Sequence, residues 1–125
     1  MIHFDTNFLI FTLIPGSAED RRVLALRAAG ESFNISAMAW AEFRCGPVTA
    51  EDVATAARML PQTEPVTAED AERGAELVNA GGRRRGSLAD CLIAACCVRV
   101  GAELATNNLD DFRLFEPFGL RIITP

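Results

Sequence analysis

The chain has 125 residues, half of them hydrophobic, and a formal net charge of −5 at pH 7. This length predicts a single domain over residues 1–125 with a core large enough to fold alone. The sequence has no apolar run long enough to span a bilayer and no basic segment before its first predicted strand. We therefore expect no membrane segment, no secretory signal and a cytoplasmic location.

Two residue types are missing in a way that excludes enzyme classes. The sequence has no lysine and no tyrosine, and His3 is its single histidine. P-loop enzymes and aspartyl-phosphate enzymes need a lysine beside the phosphoryl group, so both classes are excluded. His3 lies inside a predicted strand and is interpreted as a structural residue, which disfavours histidine-based catalysis as well. Carboxylates acting with a metal ion remain as the means of hydrolysis.

The four cysteines do not form a recognisable metal or disulfide pattern. Cys91, Cys96 and Cys97 lie on one predicted helix, at spacings that neither pair well nor match a zinc site. Together with Cys45, they are interpreted as small buried hydrophobic residues.

Strand-like apolar runs alternate with capped helical patterns along the chain. Pairs of the form Ser/Thr-x-x-Asp begin four of the predicted helices. In chain order we predict a strand over 1–4, helices over 8–14 and 17–29, a strand over 33–36, helices over 37–46, 50–60, 68–80 and 87–101, and strands over 103–106 and 120–123. The turn over 61–65 has room for a short edge strand at most. This order predicts an α/β domain with a small, mostly parallel sheet.

Polar side chains follow the predicted strands or head the helices beside them. Ligands of parallel α/β sheets bind at the carboxyl ends of the strands. Hard cations such as Mg²⁺ and Mn²⁺ prefer oxygen ligands of the kind found there. The residues expected to converge at this edge of the sheet are Asp5, Glu42, Asp90, Asn108, Asp110 and Asp111.

Several of these acids also have a purely structural interpretation. Asp5 is a suitable helix N-cap residue, and Asp90 stands in a capping-box relation to Ser87. Glu42 is harder to explain in this way, because its predicted helix is apolar nearly all round and a buried carboxylate needs a cation or a partner. Arg44 is two residues away and points to a different side of the helix.

The remaining charges divide into one basic loop and several acidic helix faces. Arg83, Arg84 and Arg85 form the only concentrated positive patch of the sequence, directly before Asp90, which suits contact with a phosphate backbone. A solvated loop with no binding role is the alternative interpretation. The acids interpreted as solvated helix starts and faces are Glu51, Asp52, Glu69, Asp70, Glu72 and Glu76.

Four short motifs occur in a specific order. They are Asp5-Thr6-Asn7 after the first strand, Glu42 with Gly46 four residues later, Asp90 in ADCLIAA, and Thr106-Asn107-Asn108 leading to Asp111-Phe112. In this order and spacing, the chain resembles the PIN-domain ribonucleases, specifically the VapC-type toxins of bacterial toxin–antitoxin pairs. The resemblance covers nearly the whole chain.

The resemblance implies a fold, a site and an activity. The fold is a three-layer PIN-like domain in which helices flank a parallel sheet of about five strands. The activity is endoribonuclease cleavage of RNA phosphodiester bonds, with one or two Mg²⁺ or Mn²⁺ ions per site. The implied acids are Asp5, Glu42, Asp90 and Asp111, with Thr6, Asn7, Thr106 and Asn108 as polar support; Asp110 and Asn108 are alternatives for the fourth ligand.

The resemblance also implies partners, namely a second copy of the chain in a homodimer and a cognate antitoxin protein. Two other functions remain open from the sequence. One is a catalytically inactive nuclease-like module that binds RNA or protein. The other is a metal-dependent hydrolase of a small phosphoester.

Overall fold

The computed structural model describes residues 1–81 and 88–125. Within these residues the strands are β1 Ile2–Phe4, β2 Phe33–Ser36, β3 Thr63–Glu64, β4 Glu103–Ala105 and β5 Arg121–Ile123. The helices are α1 Thr6–Thr12, α2 Ala18–Ala28, α3 Ala37–Cys45, α4 Ala50–Met59, α5 Ala68–Ala80, α6 Leu88–Val100 and α7 Leu109–Phe112, and a 3-10 helix over Arg113–Phe118 leads to β5.

The strands form one sheet in the order β3-β2-β1-β4-β5, and every neighbouring pair is parallel. Central strand β1 pairs through Ile2 with Phe33 of β2 and with Glu103 of β4. Because the strands run parallel, their carboxyl ends lie along one edge, where the residues that follow β1, β2 and β4 meet. The predicted α/β class with a parallel sheet of about five strands is confirmed.

Aromatic and aliphatic side chains from the sheet and three helices share one core. Phe4 of β1 and Ile35 of β2 belong to the same buried cluster as Phe8 of α1, Phe43 of α3 and Ile93 of α6. The rings of Phe4 and Phe8 meet edge to face, with centroids 5.1 Å apart. Burying a side chain of this size stabilises the fold by about 1.5–3 kcal/mol. The packing therefore fixes the end of β1 and the start of α1, between which Asp5 lies.

Helix α6 packs closely against α5. A Cβ atom at Gly74 of α5 would lie 2.9 Å from Cδ2 of Leu92, so glycine permits the short distance between these helices. Arg99 in the last turn of α6 binds Asp70 of α5, whose side chain is only 1% exposed. The interpretation of Asp70 as a solvated residue is therefore wrong, because it is buried by its partner on α6.

The predicted helix caps agree with the structure in most cases. Thr49 with Asp52 and Thr67 with Asp70 both form reciprocal capping boxes. Ser17 caps α2 by accepting from the amide of Asp20, but the Asp20 carboxylate accepts from the amide of Gly16 rather than completing a box.

The capping box predicted at Ser87 lies outside the described residues.

The cysteines divide into two groups. Cys91, Cys96 and Cys97 are buried, as predicted, and burial raises the pKa of Cys96 to about 11. Cys45 is exposed, so its predicted burial is wrong; it is the last residue of α3, where the helix leaves the core. In the part of the chain that the structure describes, no helix is both long enough and apolar enough to cross a membrane.

Candidate active site

Asp5 is held at the carboxyl end of the central strand by hydrogen bonds to the start of α1 and to residues 105–106 at the end of β4. Its amide donates to the carbonyl of Ala105 at the end of β4, with an N–O distance of 3.0 Å. Its Oδ1 accepts from the amide of Thr6 at 2.8 Å, which makes Asp5 the N-cap of α1. Its Oδ2 accepts from the hydroxyl of Thr106 at 2.9 Å. The side chain is 4% exposed, so a helix cap and a candidate ligand are the same buried carboxylate.

The surroundings of Asp5 disfavour its negative charge. Burial raises the pKa of Asp5, and the bonds from Thr106 and Thr6 only partly offset this effect. The charges of Glu42 and Asp111 raise the Asp5 pKa further. Since charges act in this way only over short range, the structure brings acids from three separate segments into electrostatic contact.

Glu42 lies half-buried on α3 and has a partner on α1. Its Oε1 accepts from the hydroxyl of Thr6, with an O–O distance of 2.9 Å. The backbone amide of Thr6 binds Asp5 at the same time, so Thr6 connects the two carboxylates. The partner that the sequence required for Glu42 is thus a hydroxyl 36 residues away.

The segment after β4 contributes further polar side chains to the site. Thr106 is fully buried; its amide donates to the carbonyl of Ile123, and its hydroxyl accepts from the amide of Asn108 at 2.9 Å while donating to Asp5. This turn leads into α7, where Asp111 is half-buried and Asp110 is exposed. The influence of Asp111 on Asp5 makes it the better candidate of the two for the fourth acid.

Asp90 lies in the first described turn of α6 and is half-buried. Cys97 follows seven residues later, about two turns and 10 Å along the helix axis, on the same helix side. Burial raises the pKa of Cys97, and the charges of neighbouring groups, including Asp5, raise it further. Cys97 thus lies within electrostatic range of Asp5, and the place of Asp90 at the site stays a prediction.

One predicted site residue, Asn7, does not take part in these contacts. Asn7 is exposed in the first turn of α1. Arg83, Arg84 and Arg85, the predicted RNA-binding residues, lie outside the described residues.

The model of the PIN domain family matches residues 2–115, and so nearly the entire chain. The chain belongs to the PIN domain family. No curated protein sequence matches the chain.

Solved structures of PIN domain proteins resemble this chain over its full length. VapBC2 from Rickettsia felis, bound to a DNA fragment from its promoter, has a TM-score of 0.80 at 21% identity and covers 100% of this chain and 99% of that chain. A toxin–antitoxin complex from Klebsiella pneumoniae has a TM-score of 0.73 at 27% identity, covering 100% and 98%. The sarcin–ricin loop cleaving toxin VapC20 from Mycobacterium tuberculosis has a TM-score of 0.70 at 21% identity, covering 100% of both chains. These similarities support the fold.

The donor atoms of this PIN domain site suit a hard divalent cation. Asp5, Glu42 and Asp111 offer carboxylate oxygens, which are the ligands that hard cations prefer. Among residues 1–81 and 88–125, no three acidic, cysteine or histidine side chains already stand close enough together to hold an ion. The acids form a loose group whose mutual repulsion a cation would relieve, and coordination would require them to move together.

A polar pocket of about 410 Å³ adjoins the acids of the PIN domain. It is lined by the continuous segment 107–111, which includes Asp111. Asn107 was not among the predicted site residues, yet its Oδ1 is buried and has no hydrogen-bond partner in the described part of the chain. An unpaired buried amide oxygen costs about 1–3 kcal/mol. No sequence pattern distinguishes Asn107 from the neighbouring Asn108, so only the structure reveals it.

A second pocket, of about 400 Å³, lies between α5 and α6. It is lined mainly by charged side chains that already pair with one another, including Asp70 with Arg99 and Arg73 with Glu76. Because it contains none of the residues around Asp5, we place the candidate active site at the acids and not in this pocket.

Proposed function

We propose that this PIN domain is a metal-dependent endoribonuclease that hydrolyses RNA phosphodiester bonds, and that it is the toxin of a type II toxin–antitoxin pair. The observation that carries the proposal is the meeting of Asp5, Glu42 and Asp111 at the carboxyl edge of a PIN domain sheet. Three acids from distant segments, one of them buried with a raised pKa, are typical of a functional site rather than of helix capping alone.

In the proposed mechanism the acids hold one or two Mg²⁺ or Mn²⁺ ions, with Asp5, Glu42, Asp90 and Asp111 as ligands. Such an ion, when bound, activates water for attack and neutralises charge that develops on the phosphate.

The chain's own residues position these ligands. Thr106 holds Oδ2 of Asp5, and Thr6 fixes both Oδ1 of Asp5 and Oε1 of Glu42. Asn108 supports the same arrangement, because its backbone amide donates a hydrogen bond to the hydroxyl of Thr106. Once the acids have moved together around an ion, hydrogen bonds of this kind would keep them in place while the substrate reacts. No side chain has to act as the nucleophile.

The partners follow from relatives with the same fold. The Klebsiella pneumoniae structure is a toxin–antitoxin complex that covers all of this chain. By analogy we propose that an antitoxin protein binds this chain in or beside the active-site groove, and that the chain forms homodimers. We further propose that Arg83, Arg84 and Arg85 contact the RNA backbone.

The first prediction tests the activity. The purified protein should cleave RNA with Mg²⁺ or Mn²⁺ and stop when EDTA removes the ion, as followed on a labelled RNA by gel electrophoresis. Asp5→Asn should reduce the rate on the order of 100-fold or more, since even the loss of a group that only orients a metal ligand costs about 10- to 100-fold. Asp52→Asn, the same change at an α4 cap that shows no contact with Asp5, is the control and should leave cleavage unaltered.

Undiminished cleavage in EDTA would overturn the mechanism. A protein that binds RNA without cleaving it would be the inactive nuclease-like module. Turnover of a simple phosphodiester such as bis(p-nitrophenyl) phosphate without any action on RNA would instead indicate a small-molecule hydrolase.

A further inference from the structure

Oδ1 of Asn107 is a buried side-chain acceptor at the candidate site that has no hydrogen bond within the described residues. Among residues 1–81 and 88–125, two buried side-chain polar atoms have no hydrogen-bond partner: Nδ1 of His3 and Oδ1 of Asn107. His3 is enclosed within the sheet, whereas Asn107 lines the pocket that also includes Asp111. Of these two residues only Asn107 lines this pocket, so only there can a ligand lie beside the residue that carries the unpaired atom.

The turn that carries Asn107 is firmly anchored on both sides. The preceding residue, Thr106, binds Ile123 through its amide and Asp5 through its hydroxyl. The backbone amide of the following residue, Asn108, donates a hydrogen bond to the Thr106 hydroxyl. These hydrogen bonds hold Asp5 and the turn in place, and none of them involves the Asn107 side chain. A buried acceptor on a fixed turn is positioned to bind a donor from outside the chain.

The chemistry of the pocket limits what that donor can be. The segment 107–111 includes the carboxylates of Asp110 and Asp111, which repel anions. A phosphate oxygen is an acceptor and carries negative charge, so it does not pair with Oδ1 of Asn107. A hydroxyl or an amine does. In RNA the 2′-hydroxyl is a donor that every nucleotide carries, whatever its base.

We propose that Asn107 binds the ribose of the substrate, with its Oδ1 accepting a hydrogen bond from a 2′-hydroxyl close to the scissile phosphate. Asn107 is then a substrate-binding residue that favours RNA over DNA. This inference rests on the proposed ribonuclease function and adds the feature of the substrate that the site recognises.

The test is a double-mutant cycle that combines Asn107→Ala in the protein with single 2′-deoxy substitutions in the RNA. An RNA that the wild type cleaves is compared with versions in which one 2′-hydroxyl at a time, near the cleaved bond, is replaced by hydrogen. For the wild type, one of these changes should lower kcat/KM on the order of 10-fold, the size of one hydrogen bond. Asn107→Ala should lower kcat/KM on the unmodified RNA by a similar factor and lose nothing further on the 2′-deoxy version.

Two further variants sharpen the result. Asn107→Asp keeps an oxygen acceptor, so it should retain the 2′-deoxy penalty even if its charge weakens binding of every oligonucleotide. Gln62→Ala removes an exposed amide directly before edge strand β3, which lies three strand positions from β4 in the sheet, and should behave as the wild type.

The outcomes separate this inference from the function on which it rests. If the wild type does not act on RNA, the proposed function fails. If it cleaves RNA but Asn107→Ala retains the full 2′-deoxy penalty, Asn107 does not bind the ribose and this inference alone is overturned. A penalty that follows the identity of the base rather than the 2′-hydroxyl would overturn it too. So would a clear fall in the melting temperature of Asn107→Ala, since the amide would then have a structural partner.

Discussion

Asp5 shows how a single residue serves both the fold and the site. As the N-cap of α1 it satisfies the amide of Thr6, and through Thr106 it ties the end of β1 to the segment after β4. A carboxylate chosen only for capping would lie at the surface, where solvent stabilises its charge. Asp5 is instead buried beside two other acids, an arrangement that is costly for stability in the metal-free protein.

The second prediction follows from this cost. Asp5→Asn should raise the melting temperature of the metal-free protein at pH 7, because the amide retains an acceptor for Thr6 and removes the buried charge. The folded-state pKa of Asp5 lies above its ordinary value of 3.8, so the folded protein holds this proton more tightly than the unfolded chain. The loss of folding stability caused by the Asp5 charge is therefore absent below about pH 3.8 and grows as the pH rises through the folded-state pKa.

Thermal melts of both proteins in EDTA, across this pH range, measure the effect. The stability advantage of Asp5→Asn should be largest at neutral pH and vanish in acid. The control Asp52→Asn loses a favourable charge at an exposed helix start and should instead cost about 0.3–1 kcal/mol. If Asp5→Asn melts below the wild type at pH 7, Asp5 acts mainly as a cap.

Single residues of the site were predictable to different degrees. Asp5 and Glu42 could be selected from the sequence because an acid after a buried strand, or on an apolar helix, conflicts with its surroundings. Their hydrogen-bond partners could not, since Thr6 and Thr106 look like ordinary polar residues until the chain is folded. Asn107 could not be found at all, because an unpaired atom is a property of packing. The roles of the four acids as metal ligands stay predictions.

At the scale of elements, two partly buried ion pairs that share Arg99 join α5, α6 and β3. Arg99 donates from Nε to Oδ1 of Asp70 at 2.8 Å and from Nη2 to Oε1 of Glu64 at 3.1 Å. It also donates to the carbonyl of Pro65 at 3.0 Å. Burial by itself would raise the pKa of Asp70, but the bond and charge of Arg99, together with bonds from Thr67, bring it below its ordinary value. The edge strand β3 is thereby held to two helices.

The third prediction concerns this connection. Asp70→Asn should destabilise the protein by about 1.5–3 kcal/mol at pH 7, the usual contribution of a hydrogen bond to a charged group. Because the folded-state pKa of Asp70 is lowered, its contribution is fully present above the ordinary value of 3.8 and is lost as the pH falls through the folded-state pKa. Urea denaturation measures the free energy of unfolding of the wild type and of Asp70→Asn. The two proteins should differ strongly at pH 7 and only slightly at about pH 3.

A matched surface pair supplies the control. Glu76 binds Arg73 on the exposed side of α5, at an N–O distance of 3.0 Å. Glu76→Gln should cost no more than about 1 kcal/mol, since solvent screens exposed ion pairs. Equal effects of the two substitutions would mean that the bridge from Arg99 contributes no more than a surface contact.

Elements with strong local signals were predicted well. The strand over 33–36 and the helix over 68–80 have the predicted bounds, because a Thr-Asp capping box and a clear change of periodicity mark them. Helix α1 begins at Thr6 and not at Phe8, since Asp5 caps it directly. Helix α7 and the 3-10 helix after it were missed. They are short and include Pro117, and packing of Phe112 and Phe115 in the core determines them rather than local propensity.

At the scale of the whole molecule, charge sets a problem for an enzyme that acts on RNA. The protein carries a formal charge of −5, and RNA is a polyanion. Two bound divalent ions would cancel most of the excess. In the proposed function Arg83, Arg84 and Arg85 would supply local attraction, in a chain whose other arginines are spread singly or in pairs along the sequence.

The fourth prediction tests this local attraction. Replacing Arg83, Arg84 and Arg85 by alanine should weaken RNA binding and reduce the slope of log K against log salt concentration by about 2, if each arginine neutralises one phosphate of a single strand. Binding is measured by fluorescence anisotropy at several salt concentrations. The control replaces Arg21, Arg22 and Arg27 of α2, which changes the net charge equally. If both triple variants change the slope alike, binding depends on total charge and the loop has no special role.

The hydrogen bond between Thr106 and Asp5 joins residues 101 positions apart. A ribosome makes Asp5 long before Thr106, and central strand β1 lacks its β4 neighbour until β4 has been made. A nascent chain thus holds its acids without the geometry that aligns them. The geometry that aligns Asp5 therefore forms only after the chain has been made as far as Thr106.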